Sequence, residues 1–300
     1  MAITIPAAYI ESFESNVRQL AQQNMSRLRG SVTEVNTQSK THNWDRLSAS
    51  EARTKTGARM VSPAGGNGSG AVGSTDGLAW SRRNTLIQTY DTGEVVEAED
   101  VVQMLIDPKN ASTENLVMNM KRKVDDVIIT AATANAADGA GGTVAFPAGQ
   151  IVGNYTAEIS LDFILQVDEK FQENDVDPDE ERFFIIGPKQ RRKMLQIPEI
   201  INGDFQTRKA LSDGYLPNFM GFTWIMSNRL NVPQADQLDG LAMTKKALGL
   251  HIAGDITTRV QERADMSFAW QLYMQMNCAA VRVEDEHIVK AAFADTVTPV

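Results

Sequence analysis

Few side chains in this 300-residue chain have the type and spacing that chemistry needs. The three histidines, His42, His251 and His287, lie far apart in sequence, and no cysteine or histidine pair has metal-ligand spacing. The one cysteine, Cys278, sits in the apolar run Met276-Asn-Cys-Ala-Ala-Val281, where a thiol behaves as a small buried hydrophobe rather than a nucleophile. Being single, it excludes an internal disulfide. The acidic run Asp177-Pro-Asp-Glu-Glu181 has the carboxylates of an acid–base pair, but its proline puts it in a solvated turn between a helix and a strand. Gly68-x-Gly70-x-x-Gly73 matches the letters of a dinucleotide fingerprint. That chemistry needs a hydrophobic strand before the glycines and a helix after them, whereas Pro63 precedes and Ser74-Thr-Asp-Gly77 follows. Nucleophile elbow, phosphate-binding lysine loop and zinc-protease helix are all missing. The residues therefore predict no catalytic group, no cofactor and no metal.

Charge gives a second pattern. Arg53, Lys55, Arg59, Arg82 and Arg83 make one segment basic, and Asp91, Glu94, Glu97, Glu99, Asp100 and Asp107 make the next one acidic. A solvated charge run is the plain reading. The sharper one lays the basic arm of one subunit across the acidic flank of the next, with Arg53, Lys55, Arg59, Arg82, Arg83, Glu94, Glu97, Glu99 and Asp100 as contact residues. Lys55 alone does not make a covalent cross-link, which needs a matching asparagine and a catalytic carboxylate. The net charge of −9 disfavours a protein that grips nucleic acid, yet suits the wall of a container that leaves a packaged polymer mobile. No run of about 18 apolar residues is present and Met1 to Pro6 lacks a signal-peptide pattern, so a cytoplasmic protein without a membrane segment is expected.

These residues must be carried by elements that hydrophobic spacing predicts. Ile10, Phe13, Val17, Leu20, Ala21, Met25 and Leu28 predict an amphipathic helix from Tyr9 to Leu28, ended by Gly30. Ser31 to Asp45 and Leu78 to Tyr90 read as two polar strands joined by a long polar, glycine-rich tip, a protruding hairpin that is marginal unless another chain covers it. Val117, Met120, Val124, Val127, Ala131 and Ala134 predict a helix from Ala111 to Ala137, about 40 Å long at 1.5 Å per residue. Pro108 would close the preceding segment and Ser112 or Thr113 would cap the helix. Its polar face would carry Asn119, Lys121, Arg122, Lys123, Asp125 and Asp126, and Asp138 with the glycines after it would stop it. Gly141 to Tyr155 reads as loop. Ser160 caps a helix to about Asn174, Arg182 to Pro188 is a buried strand leading into a helix from Pro188 to Leu195, and Thr223 to Met226 is another short strand. Leu241 to Ile252 reads as strand and turn, and Thr258 to Glu284 as long strands turning near Asp265 and Met266. The order implies an α+β body with a mixed or antiparallel sheet.

Ser212-Asp-Gly-Tyr-Leu-Pro-Asn-Phe-Met-Gly-Phe-Thr-Trp-Ile-Met-Ser-Asn228, Phe184-Ile-Ile-Gly-Pro-Lys-Gln190, Ala280-Val-Arg-Val283, Asn16 to Arg29 and Ile106-Asp-Pro108 together resemble stretches of the major capsid protein of tailed bacteriophages. Pro217 and Ala279 depart from the family pattern. The resemblance implies an α+β tailed-phage capsid fold: N-terminal arm 1–30, extended β-hairpin loop 31–93, peripheral domain 94–180 with spine helix 112–137, axial domain 181–255, and C-terminal strands 256–300 returning to the peripheral domain. It implies a non-enzymatic homo-oligomer of hexamers and pentamers in an icosahedral shell. Scaffolding protein, portal and decoration protein are its partners, double-stranded DNA is held inside by weak contacts, and the virion is assembled in a host cytoplasm. An encapsulin shell, which has a similar fold, and a soluble α+β enzyme are the alternatives.

Overall fold

The computed structural model describes residues 22–47, 80–97, 108–197 and 218–296, and the chain divides into two compact units. The first draws its described residues from 22–25, 89–97, 108–122 and 255–276, the second from 26–47, 80–88, 123–197, 218–254 and 277–296. In chain order the strands are β1 (Thr33–Asn36), β2 (Thr41–Leu47), β3 (Trp80–Leu86), β4 (Gln88–Val96), β5 (Ala136–Ala137), β6 (Thr143–Val144) and β7 (Ile151–Val152). They continue with β8 (Arg182–Ile186), β9 (Asn218–Phe219), β10 (Phe222–Met226), β11 (Gln237–Thr244), β12 (Leu248–Arg263), β13 (Ala269–Arg282) and β14 (Ile288–Ala294). The α-helices are α1 (Pro108–Thr133), α2 (Leu161–Glu173) and α3 (Pro188–Met194).

The second unit contains a mixed six-stranded sheet in the order β7-β14-β11-β8-β10-β9. β8 and β10 run parallel, as do β7 and β14, while β11 is antiparallel to both of its neighbours. The mixed sheet matches the sequence expectation. α2 forms where predicted: Ser160 accepts the Phe163 N–H at 3.2 Å, and Phe163, Ile164, Val167 and Phe171 are buried at helical spacing. Each such side chain contributes roughly 1.5–3 kcal/mol of burial. They pack into a core with Phe184, Phe222, Trp224 and Phe293, in which Phe184 and Trp224 stack at 4.5 Å. β8 reads as an unbroken apolar run because it is a central strand of this sheet. Pro188 then opens α3, where its missing N–H costs nothing. β9 and β10 are joined by Met220 and Gly221 at φ 54° and 74°, a two-residue turn with both residues left-handed, which glycine accommodates freely.

In the first unit β4, β13 and the distal part of β12 lie in the order β12-β13-β4. Leu272, Met274 and Met276 are buried at period two. The turn falls at Ala264–Met266, as the sequence predicts. In the second unit β1 runs parallel to the start of β12, Thr33 opposite Gly249 and Asn36 opposite Ile252.

Three expectations are corrected. The N-terminal helix does not reach Leu28: Gln22–Leu28 is not helical, and Arg29–Ser31 forms one 3₁₀ turn. The cause is Asp125, which accepts the backbone N–H groups of Arg27 at 3.1 Å and Leu28 at 3.2 Å, and the Ser26 hydroxyl at 2.5 Å. Residues 1–21 of that prediction lie outside the described residues. The long helix is displaced toward the N-terminus. It begins at Pro108, which starts the helix instead of preceding it, and ends at Thr133. Ala136–Ala137 pairs with Thr143–Val144, and Asp138 Oδ1 accepts the N–H groups of Ala140 and Gly142, so a hairpin replaces the last predicted turn. The segment 141–155, expected as loop, supplies β6 and β7. Finally, the buried stripe of α1 is Leu116, Met120, Val124, Ile128 and Ala132, rather than the set through Val117 and Val127. Asp125, assigned to the polar face, is fully buried.

Candidate functional site

β2 and β3 form a two-stranded antiparallel ribbon, with Thr41 opposite Leu86 and Leu47 opposite Trp80. Alternation sends His42, Trp44 and Arg46 to one face with Arg83 and Thr85, and leaves Asn43, Asp45 and Leu47 on the other with Trp80, Arg82 and Asn84. The inner face is seated on β12. The Trp44 ring lies against Gly249 so closely that a Cβ there would meet it at 2.5 Å. The His42 ring stands edge-on to Trp44 at 4.8 Å and lies 5.4 Å from the His251 ring. His251 is fully buried, with Nε2 at 2.9 Å from Thr37 Oγ1 and 3.0 Å from the Thr37 carbonyl oxygen.

The root of the ribbon is fastened by ions. Arg46 makes a two-pronged bond to Glu284, at 3.1 and 2.8 Å, and Arg83 donates to Asp285 at 2.7 Å. Arg282 donates to the other oxygen of Asp285 at 2.6 Å and to the carbonyls of Ala134, Val144 and Ala145. One carboxylate thus ties the hairpin to the end of β13, and its arginine closes the segment that follows α1. Burial pulls the Arg46 guanidinium down, but the Glu284 bond and the nearby Asp285 and Glu286 charges outweigh it and raise its pKa. Such paired, hydrogen-bonded charges are the form in which burial is tolerated.

Among the described residues the outer face carries no comparable clasp of buried ion pairs. Arg82 pairs with Asp45 at 2.5 Å, both half exposed, and holds the Asp45 carboxyl below the usual range. Asn84 donates to Asn43 at 2.9 Å. Leu47, Trp80 and Leu86 stand out at 51%, 74% and 57% exposure. On this side the ribbon meets the segment after α1 through the Arg83–Asp138 bridge and the Gly139 N–H donated to the Arg82 carbonyl at 3.3 Å.

Of the nine residues predicted to meet a neighbouring subunit, Arg82, Arg83, Glu94 and Glu97 are described, while Arg53, Lys55, Arg59, Glu99 and Asp100 lie outside the described residues. Arg83 corrects its part of that prediction: it is 5% exposed and uses its charge on Asp285 of its own chain. Arg82 keeps half its surface, and Glu94 and Glu97 are exposed. Two histidines taken as isolated, His42 and His251, are neighbours, and His287 contacts Thr244 at 2.8 Å and Glu180 at 3.5 Å. Gly249, His251 and Asp285 were missed; the acidic run Glu284-Asp-Glu286 directly after an apolar strand was the available signal. Cys278 is buried as expected, its thiol pushed up to about 11 by burial. Among the described residues, no group of three or more His, Cys, Asp or Glu is arranged to hold a metal ion.

A family model described as phage capsid protein matches residues 5–295. The chain belongs to the phage capsid protein family. Solved capsid structures carry the same fold. The capsid of the cyanophage P-SCSP1u is 14% identical with a TM-score of 0.73, over 96% of this chain and 94% of that one. The cyanophage Pam1 capsid is 11% identical with a TM-score of 0.71, over 98% and 99%. The mature capsid of bacteriophage PhiM1 is 15% identical with a TM-score of 0.70, over 96% and 93%. No curated protein matches the chain in sequence. At such low identity the likeness carries the fold, α+β of the tailed-phage capsid type, and it spans nearly the whole capsid protein.

Proposed function

We propose that this capsid protein is the shell-forming subunit of a phage head, assembling as hexamers and pentamers into an icosahedral shell around double-stranded DNA. The observation that carries this reading is the outer face of the β2–β3 ribbon, where Leu47, Trp80 and Leu86 stay exposed while the inner face packs on β12 through Trp44 and His42. A ribbon seated on one side, with large apolar side chains exposed at both ends of the other, is suited to being covered, and the subunit next to it in a ring is the natural cover. Arg82 on the ribbon, Glu94 and Glu97 on the following segment, and Arg53, Lys55, Arg59, Glu99 and Asp100 are the charges that would set register between subunits more than strength. In this reading residues 1–30 are an arm, 31–93 the extended loop, 94–180 the peripheral domain, 181–255 the axial domain and 256–300 the returning strands. The net charge of −9 favours an inner wall that leaves packaged DNA mobile. The function is structural rather than catalytic. Scaffolding protein, portal and decoration protein would be the partners of assembly in the host cytoplasm.

The test is Trp80→Asp, read by light scattering after size-exclusion chromatography and by thermal melting. The expected result is loss of large assemblies with a melting temperature within about 2 °C of the parent, because an exposed residue contributes little to its own subunit's core. Assembly at parental yield would remove the ribbon from the contact.

A further inference from the structure

The seat of the ribbon holds two imidazoles, His42 and His251, with ring centroids 5.4 Å apart. The carbonyl oxygen of Thr37 only accepts, so the His251 Nε2 facing it at 3.0 Å carries the ring hydrogen. Nδ1 is then the bare nitrogen. It is buried and has no hydrogen-bond partner, and the indole Nε1 of Trp44 in the same seat has none either. The centroid of the His251 ring lies 5.4 Å from that of His42, so a charge on His42 would face a seat with no free acceptor but this buried Nδ1. We propose that His42, packed on the buried His251 ring, is a proton-operated latch that keeps the β2–β3 ribbon on β12 while neutral and releases it when protonated.

The charges acting on His42 are His251 on β12 and Asp45 on its own strand, and Asp45 is already held by Arg82 of β3; the segment between β1 and β2 presents Thr37, which does not titrate. Burial first, and His251 second, lower the His42 pKa, while Asp45 raises it less. A histidine whose folded pKa is depressed favours the closed state above its ordinary value near 6.5 and loses that contribution as pH falls through the depressed value. The release window therefore lies below about pH 6.5. The root is fastened by a different set of contacts, Arg46 to Glu284 and Arg83 to Asp285, so it serves as the hinge when the seat opens. This deepens the shell-forming reading and rests on it for its consequence, since the ribbon is the proposed contact between subunits; the latch itself is a property of the single chain.

Hydrogen–deuterium exchange of the full chain at pH 7.5 and 5.5, corrected for intrinsic exchange, reads the latch directly. Peptides covering 41–47 and 80–86 are expected to open at least about tenfold more at pH 5.5, the change that one unit of pKa difference between closed and open states produces. Peptides from β11 and β14 should not change. His42→Gln should remove most of that difference, and His287→Gln, outside the seat, should keep it. If His42→Gln is already open at pH 7.5, His42→Phe, which retains ring volume and cannot be protonated, decides by the same criterion. Equal protection of the parent at both pH values, or an undiminished difference in the non-titrating variant, overturns the latch. Electron microscopy at the two pH values separately reports whether shells form, so failure of the shell reading would leave the exchange result standing on its own.

Discussion

Asp125 decides where the chain leaves its N-terminal segment. It is fully buried in α1, and its two oxygens receive the Ser26 hydroxyl and the amides of Arg27 and Leu28, while the adjacent Asp126 binds Arg229 on the helix surface. A buried carboxylate with three donors replaces hydration by hydrogen bonds of known direction, which is why 26–28 follows an irregular path there instead of a helix. Asp125→Ala leaves two amides without an acceptor, and at roughly 1–3 kcal/mol per unsatisfied buried group the variant should lose about 2–4 kcal/mol. Urea unfolding checks this, and a loss below about 0.5 kcal/mol would mean that the carboxylate does not hold the segment. Nothing in the sequence distinguished Asp125 from Asp126. The helix offers apolar residues at 116 and 117, at 127 and 128, and at 131 and 132, so two neighbouring faces were equally plausible cores. A choice one residue off rotates the polar face by 100° and exposes a residue that is in fact buried.

At the scale of elements, the ribbon is held by shape at its seat and by charge at its root. Gly249 is the point where shape is tightest, because any side chain there collides with the Trp44 ring. Gly249→Ala should therefore push the ribbon off β12 and destabilise the protein by about 1–3 kcal/mol, the usual cost of overpacking. The exchange of 41–47 would rise while the α2 core keeps its protection; unchanged exchange in both regions would place the ribbon elsewhere. Elements whose signal is local were legible in the sequence: Ser160 and its helix, the strand ending at Gly187-Pro188, and the turn at Asp265 and Met266. Elements decided by distant partners were not. The end of α1 depends on the hairpin around Asp138, and the inward turn of Arg83 depends on Asp285, about two hundred residues away. Hydrophobic periodicity carries no information about either.

The whole molecule combines a mixed sheet with an aromatic core, long paired strands and a lone ribbon, and the order of these parts was readable before their contacts were. The polar strands on either side of a glycine-rich stretch already implied an element that does not build its own core. What the sequence left open was which surface remains for a neighbour, since that requires knowing that Arg83 is used internally while Trp80 is not. Negative-stain electron microscopy of the purified full chain, with and without a scaffolding protein, tests the central claim most directly. Closed shells, tubes, or rings of hexamers and pentamers are the predicted result. A uniform monomer or dimer under every condition would contradict it.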